Sequence, residues 1–545
     1  MLRINELKLP LTATADDLRR AAARELGVKE SAISRLRLRK KAVDARKKER
    51  ICFSYSVEVT LSQSEEKVLR RCRGKKISRV KESPYVLPPS AVRPPLRPVI
   101  IGMGPAGLLC GLILAEAGFR PILLERGEDI TSRQATVAAF WRGGALNPES
   151  NVQFGQGGAG AFSDGKLTTN TKDPRNRRVL EVFAAAGAPS EILYLAKPHI
   201  GTDLLMAVVR RLGEQIEALG GELRCNCRVD DFRLETTASG SRLRGVRVRD
   251  AEGTYWLESE DVVLAIGHSA RDTFEKLYQL SVPMIAKPFS VGARIEHRQQ
   301  DIDRSQYGAF TGHSALGAAD YQLSCHLPDG RSVYSFCMCP GGVVVNASSE
   351  PGRVVTNGMS LHARNGENAN AALLVGVTPK DFGSDHPLAG MALQRAIEKA
   401  AFQAAGENYR TVCQRVGDFL AERPTRQWGG VRPSFLPGVC PGALDTCLPP
   451  FVTAALRQAL PLFAEKVAAF ADADALLTAP ETRSSSPVRI LRDKSFQSSC
   501  RGLYPCGEGA GYAGGIMSAA ADGIRVAEAL IQKYNPQKPA RNQNR

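Results

Sequence analysis

Residues 98–126 read PVIIGMGPAGLLCGLILAEAGFRPILLER. Val99–Ile101 is a short apolar run between proline and glycine, which predicts a buried strand. Gly102, Gly104 and Gly107 follow in the spacing G-x-G-x-x-G, and Pro105 suits the first position of a helix. An apolar helix follows. A second apolar strand ends at Glu125, 18 residues after Gly107. Each part has a mechanical reason in a dinucleotide-binding βαβ unit. Gly102 allows the tight turn, Gly104 lets the backbone approach a pyrophosphate, and Gly107 lets helix and strand pack closely. The helix N-terminus at Pro105 and Ala106 offers free N–H groups and a positive dipole end to phosphates. Glu125, with Arg126 beside it, is placed to accept hydrogen bonds from ribose hydroxyls, and its charge disfavours a 2′-phosphate.

Around this unit the chain divides. Residues 1–83 alternate strand and helix patterns in the order β-α-β-β-α-β: LRINELKL, DDLRRAAARELG, RLRLR, CFSYSVEVTL, EEKVLRRC and ISRVK. That order predicts a ferredoxin-like domain. Six prolines between Pro84 and Pro98 predict a stiff linker over 84–98. Residues 99–284 are expected to form the first part of a Rossmann-type domain, and 285–480 an inserted α+β substrate or cap domain. The first domain resumes at 481–534, ahead of a disordered tail at 535–545. The fold class expected is therefore α/β, a Rossmann-type domain carrying an inserted α+β domain and an N-terminal βαββαβ domain.

Two glycine-rich stretches extend the site. Residues 154–166, FGQGGAGAFSDGK, contain a G-x-x-x-x-G-K frame. A triphosphate loop needs a hydroxyl after the lysine to ligate Mg²⁺ and a helix to follow, but the next residues are Leu167 and a poor helix start. Gly155, Gly157, Gly158 and Gly160 instead suit a loop whose backbone approaches a flat ring, with Ser163, Asp164 and Lys166 offering polar groups beside it. The alternative is a plain surface loop. Residues 502–534 read as a strand, a glycine turn and a helix. Gly507 and Glu508 end the strand, and Gly514, Gly515 and Ile516 lead into the helix.

The motifs GMGPAG…LLER, NVQFGQGGAGAFSDGKLTT, VVLAIGHSARDTF, ETRSSSPVRI and CGEGAGYAGGIMSAAADG together resemble a family. It is the FAD-dependent dehydrogenase-like proteins, NAD(P)/FAD-dependent oxidoreductases among the glutathione-reductase-like flavoproteins. The likeness runs over roughly residues 1–535. It implies FAD as cofactor and names no substrate. In such flavoproteins a C-terminal strand–turn–helix closes over the far end of FAD. Glu508 would then meet the ribityl chain, and the helix at Ile516 would point at the flavin, where it stabilises negative charge on the reduced ring. Gly267, at the end of DVVLAIG, would pass near the adenosine. The expected activity is hydride transfer between flavin N5 and a small-molecule substrate, with NAD(P)H or another electron donor as a candidate partner. Lys166, Glu481 and Arg483 are the catalytic candidates, Arg483 as a holder of a substrate carboxylate or as half of a structural ion pair. Arg489 is a further candidate for the substrate side, and His268 reads as a capping residue.

The remaining signals are bulk ones. Net charge is +17, concentrated in residues 1–97, where 25 basic face 11 acidic residues; the other 448 residues hold 48 and 45. Arg35, Arg37 and Arg39 alternate along a strand and predict a cationic stripe. It suits RNA, an acidic partner or mere solvation. Phe53 and Tyr55 fit a core rather than a base-stacking pair. A second function class follows, a flavin-containing RNA-associated protein. Thirteen scattered cysteines read as reduced thiols in a cytoplasmic protein. Cys337 and Cys339, like Cys225 and Cys227, read as small buried residues alternating along strands, and no metal site is expected even with Cys325 and His326 adjacent. The amino terminus, MLRINELKLP, lacks an apolar h-region, and no stretch is long enough to span a bilayer.

Overall fold

The computed structural model describes residues 1–72, 76–81, 84–89, 92–238 and 240–535. The predicted tail falls outside these residues from 536 on, as do Ser90 and Ala91 of the proline-rich linker.

A five-stranded parallel sheet positions the site. Its strands lie in the spatial order Leu503–Pro505, Val262–Leu264, Val99–Ile101, Ile122–Leu124 and Glu222–Arg224. Four of the five are fully buried three-residue strands. Residues that face apolar neighbours on both sides read as unbroken apolar runs. The helix Pro105–Glu116 has nothing but buried residues from Ala106 to Ala115. It packs against the helix Ile516–Lys533. Gly523 permits this packing, since a Cβ there would lie 2.1 Å from the Ala106 carbonyl oxygen. The late segment of the chain thus completes both the sheet and the helical layer of the first βαβ unit.

The chain leaves this unit through Met284–Ala286 and returns through Val488–Ile490, and the two strands pair antiparallel. Between them a seven-stranded, largely antiparallel sheet runs from Phe289–Arg298 to Leu476–Glu481. Its apolar face is covered by helices that include Ala389–Ala404 and Pro450–Ala464. A separate meander, Arg228–Thr237, Gly240–Asp250 and Gly253–Glu258, covers one side of the parallel sheet. The stretch ELRCNCRVDD does not form one strand. Asn226 adopts φ +54 between Glu222–Arg224 and the meander, so Cys225 and Cys227 flank a bend rather than alternate along a ladder.

The amino-terminal strands Leu2–Leu9, Ile33–Asp44, Cys52–Leu61 and Ile77–Arg79 form an antiparallel sheet. Counted in chain order, the spatial sequence is second, third, first, fourth. Helix Ala15–Leu26 begins with a Thr14/Asp17 capping box and ends at Gly27 in the left-handed region. Phe53, Tyr55, Val57, Val59 and Leu61 all face the core. The expected cationic stripe is only partly free. Pairing slips at two bulges, between Ile33 and Arg35 and between Leu38 and Lys40. Arg39 shares the buried Glu58 with Arg3. The strand is also tied to the rest of the protein: Lys41 N–H donates to the Tyr194 carbonyl at 2.7 Å, and Ala196 N–H donates to the Lys41 carbonyl at 2.9 Å. Among the described residues no helix is long and apolar enough to cross a membrane.

Candidate functional site

All five parallel strands feed one cleft of about 1000 Å³. Residues just past the carboxyl ends of the strands line it: Gly102, Glu125, Cys227, Ile266 and Glu508. This is where open α/β sheets bind ligands. Two helices present their N-termini to the cleft, one at Gly104, Pro105 and Ala106, the other at Gly514, Gly515 and Ile516. Neither N-terminus has a side-chain cap. Their first-turn N–H groups are therefore available to anionic groups in the cleft. A Cβ added at Gly267, Gly514 or Gly515 would meet nothing within 4 Å, because these positions face the open cleft.

The stretch 154–166 is a buried floor, not a surface loop. Arg133, on helix Ile130–Trp141, is fully buried and donates to five carbonyls. They belong to Asn151 (2.9 Å), Val152 (3.0 Å), Gly155 (3.2 Å), Gln156 (2.8 Å) and Gly158 (3.0 Å). Burial pulls its guanidinium below the ordinary value, to about 10, against the opposing pull of Glu125. Nothing in the sequence around Arg133 signals this task. Gly158 reaches the cleft, and a Cβ on it would stand 2.9 Å from the Cα of Gly104. Gly157 lies behind the floor, its N–H on the Met103 carbonyl at 2.9 Å.

Glu125 lines the cleft, but its carboxylate already has work. It accepts from the N–H groups of Met103 (3.0 Å), Gly127 (3.1 Å) and Gly155 (3.0 Å). Three backbone donors at one acid tie the dinucleotide turn to the floor, a role beyond the ribose contact expected of it. Arg126 also lines the cleft, stacks 4.3 Å from the Phe154 ring, and pairs with Glu149 and Asp272. Glu508 accepts from the Gly515 N–H at 3.1 Å and contacts His268 Nδ1 at 3.2 Å. Burial would raise the Glu508 carboxyl, but His268 and the Gly515 N–H hold it below the usual value. His268 faces the cleft, and its Nε2 is buried with no hydrogen-bond partner. Gly107 and Gly507 do not line the cleft. A Cβ at Gly107 would lie 1.9 Å from the Gly102 carbonyl oxygen, and the Gly507 N–H donates to Asp522 at 2.8 Å.

The three catalytic candidates converge on the cleft, each with its charge engaged. Glu481, the last residue of its strand, takes a bidentate pair from Arg294 at 2.9 and 3.0 Å. Arg483 does not present a free guanidinium to a substrate carboxylate. It is held by Glu398 at 3.2 and 3.1 Å and by the Ser349 hydroxyl, in a buried cluster with Arg271. The ion-pair alternative is the arrangement found. Lys166 pairs with Asp164 at 2.7 Å and donates to the Met338 carbonyl. Asp164 also binds Arg364 and the Ser360 hydroxyl. Burial opposes the charge on Lys166, yet Asp164 raises its pKa above the ordinary value. Arg489 stays outside the cleft, its Nε 3.3 Å from the Gly511 carbonyl oxygen.

Cys337 and Cys339 are not two buried residues alternating along a straight strand. Strand Ser332–Cys339 slips in register between Phe336 and Cys339. Cys337 takes φ +44 and faces the cleft, while Cys339 is fully buried. The sequence displayed the Cys-x-Cys spacing but not the bulge.

Comparison with known proteins places this architecture. A protein of Clostridium beijerinckii, named only as uncharacterized, is 47% identical over 538 residues, covering 98% of this chain and 99% of the relative. The family described as FAD-dependent protein, C-terminal domain-like, matches residues 288–484. The chain belongs to one family with the Clostridium beijerinckii protein, and its residues 288–484 are similar to the C-terminal domain of FAD-dependent proteins. FAD is its cofactor. A domain of unknown function matches residues 1–60 of this FAD-dependent protein. Similar solved structures include the flavin-dependent brominase Bmp2, 14% identical over 81% of this chain and 80% of that one, TM-score 0.36. Another is the glycerol-3-phosphate dehydrogenase of Bacillus halodurans complexed with FAD, 13% identical over 82% and 66%, TM-score 0.36.

Proposed function

We propose that the protein is an FAD-dependent oxidoreductase acting on a small molecule. In this reading residues 99–284 and 481–534 form a Rossmann-type FAD-binding domain, and 285–480 an inserted α+β substrate domain. The ferredoxin-like unit at 1–83 is held against them. One observation carries the proposal: two uncapped helix N-termini and a glycine floor open on a single cleft that the inserted sheet also walls.

The residues fit FAD. Gly102, Gly104, Pro105 and Ala106 would receive the pyrophosphate, and Gly267 leaves room beside it for the adenosine end. Gly158 would underlie the isoalloxazine, with Gly514, Gly515 and Ile516 at its polar edge. When bound, FAD supplies hydride acceptance or donation at N5. The protein supplies position and field. The N-terminus of Ile516–Lys533 favours negative charge at the ring edge it faces. The wall opposite carries Lys166, Arg364 and Glu481, with Asp164 and Arg294 paired behind them, and its cations favour an anionic substrate. Lys166, held cationic beside Asp164, is the group nearest to serving as an electrostatic stabiliser. Arg483 and Glu481 brace the wall.

RNA binding draws no support from the basic unit. Phe53 and Tyr55 are buried, and the edge strand is docked at Lys41. The substrate class is tested by adding reductants and acceptors, NAD(P)H included, anaerobically to the FAD-loaded protein and watching the flavin bands. Bleaching by one class and recovery with another is expected. A flavin that no small molecule reduces or reoxidises overturns the proposal.

A further inference from the structure

The bulge between Phe336 and Cys339 holds two cysteines with one residue between them, the first of them on the cleft. Cys337 faces the cleft in a left-handed conformation that residues with side chains rarely adopt. Cys339 is buried behind it, and its thiol donates to the Cys337 carbonyl oxygen at 3.3 Å. The bend is braced from both sides. Arg294 donates to the Cys337 carbonyl at 3.0 Å, and Lys166 donates to the Met338 carbonyl. Both cations thus hold the backbone on which a cleft-lining cysteine and a buried one stand two residues apart.

We propose that Cys337 and Cys339 are a redox-active dithiol of the cleft, oxidised to an intramolecular disulfide by anionic low-molecular-weight disulfides. The Cys337 thiolate attacks one sulfur of the small disulfide. A Cys337–S–S–R bond forms, the R–S–S–R bond breaks, and one RS⁻ leaves. The Cys339 thiol gives up its proton to the departing thiolate and attacks the Cys337 sulfur, forming the Cys337–Cys339 bond, breaking the Cys337–S–S–R bond and expelling the second RS⁻, which takes a proton from solvent. Two protein thiols are oxidised by two electrons and one small disulfide is reduced to two thiols. Chemistry supports the order of attack. The hydrogen bond from Cys339 holds Cys337 well below the ordinary thiol value, against burial and with Lys166 and Arg294. Cys339 is pushed up instead. Elsewhere burial raises Cys110, Cys225 and Cys413, which makes them poor nucleophiles.

The test treats the FAD-loaded protein with oxidised glutathione at pH 7 and maps its thiols by peptide mass spectrometry. Wild type is expected to give a 337–339 bridge with no retained glutathione. Cys339→Ser should stop at one glutathionyl group on Cys337, and Cys337→Ser should form neither product. Iodoacetamide should label Cys337 at lower pH than it labels an ordinary thiol. Retention of FAD reports that each variant is folded. The proposal is overturned if Cys337 stays a free thiol in wild type, if wild type retains glutathione on Cys337, or if another cysteine reacts first.

Discussion

The Glu125 carboxylate and the Gly155 N–H meet at 3.0 Å, and this contact joins two glycine motifs that lie 30 residues apart in the chain. Through the same acid, the Met103 and Gly127 N–H groups are fixed as well. The dinucleotide turn and the floor of the cleft are therefore one unit, and damage to either should disturb both.

Glu125→Ala leaves three buried N–H donors without an acceptor. Each costs roughly 1–3 kcal/mol when unpaired. The variant should unfold at clearly lower denaturant concentration and bind FAD more weakly. Glu125→Gln keeps one acceptor oxygen and should fall between the two. Equilibrium denaturation and FAD titration read both effects.

Arg133→Met removes the donor of five buried carbonyl contacts while keeping much of the side-chain length. A stability loss of at least about 3 kcal/mol is expected, from carbonyls left without partners. Limited proteolysis should find its first new cut within 150–160, since that stretch is wound around this guanidinium.

This residue also marks the limit of what the sequence displays. The βαβ unit was legible because Gly102, Gly104, Gly107 and Glu125 each answer a local steric or polar demand. Gly107 and Gly102 touch through a helix–strand contact fixed by spacing alone. The return of residues 502–534 was legible because a strand, a glycine turn and a helix have one signature. Arg133 carries none. An arginine within a helix is ordinarily a surface residue, and only the tertiary course of 151–158 turns it inward. For the same reason Glu481 read as a catalytic candidate, and Arg483 stayed open between a carboxylate holder and an ion pair. Their partners Arg294 and Glu398 lie 187 and 85 residues away, beyond any local pattern. The Cys337 bulge follows from pairing with Asn368–Val377, which the local alternation does not record.

Arg483→Met separates the two roles once assigned to that residue. Glu398 keeps its bidentate pair with Arg271, so the loss should fall below the roughly 3–5 kcal/mol of a buried charge left unpaired. The expected result is loss of stability with FAD binding retained at low denaturant. A carboxylate-binding role would instead raise the KM for an anionic substrate and leave unfolding unchanged.

His297 sets an acid limit. It is 1% exposed, both ring nitrogens lack partners, and burial lowers its pKa from 6.5 to about 3. Between those values the unfolded chain binds a proton that the native protein refuses. Stability is then full above about pH 6.5, falls as pH drops towards 3, and levels off below. The shift corresponds to something on the order of 5 kcal/mol across that window. His297→Phe keeps the ring and removes the titration. Its denaturation midpoint should fall less between pH 7 and pH 4 than that of wild type.

The account rests on the cleft between the two glycine motifs being the FAD site, and FAD titration of the apoprotein tests it. Wild type is predicted to bind one FAD per chain and to develop flavin absorption. Gly158→Val, whose side chain would press on Gly104 from a left-handed backbone that valine resists, is predicted to bind none. An apoprotein that takes up no FAD, or a Gly158→Val protein that binds it as tightly as wild type, would contradict the account.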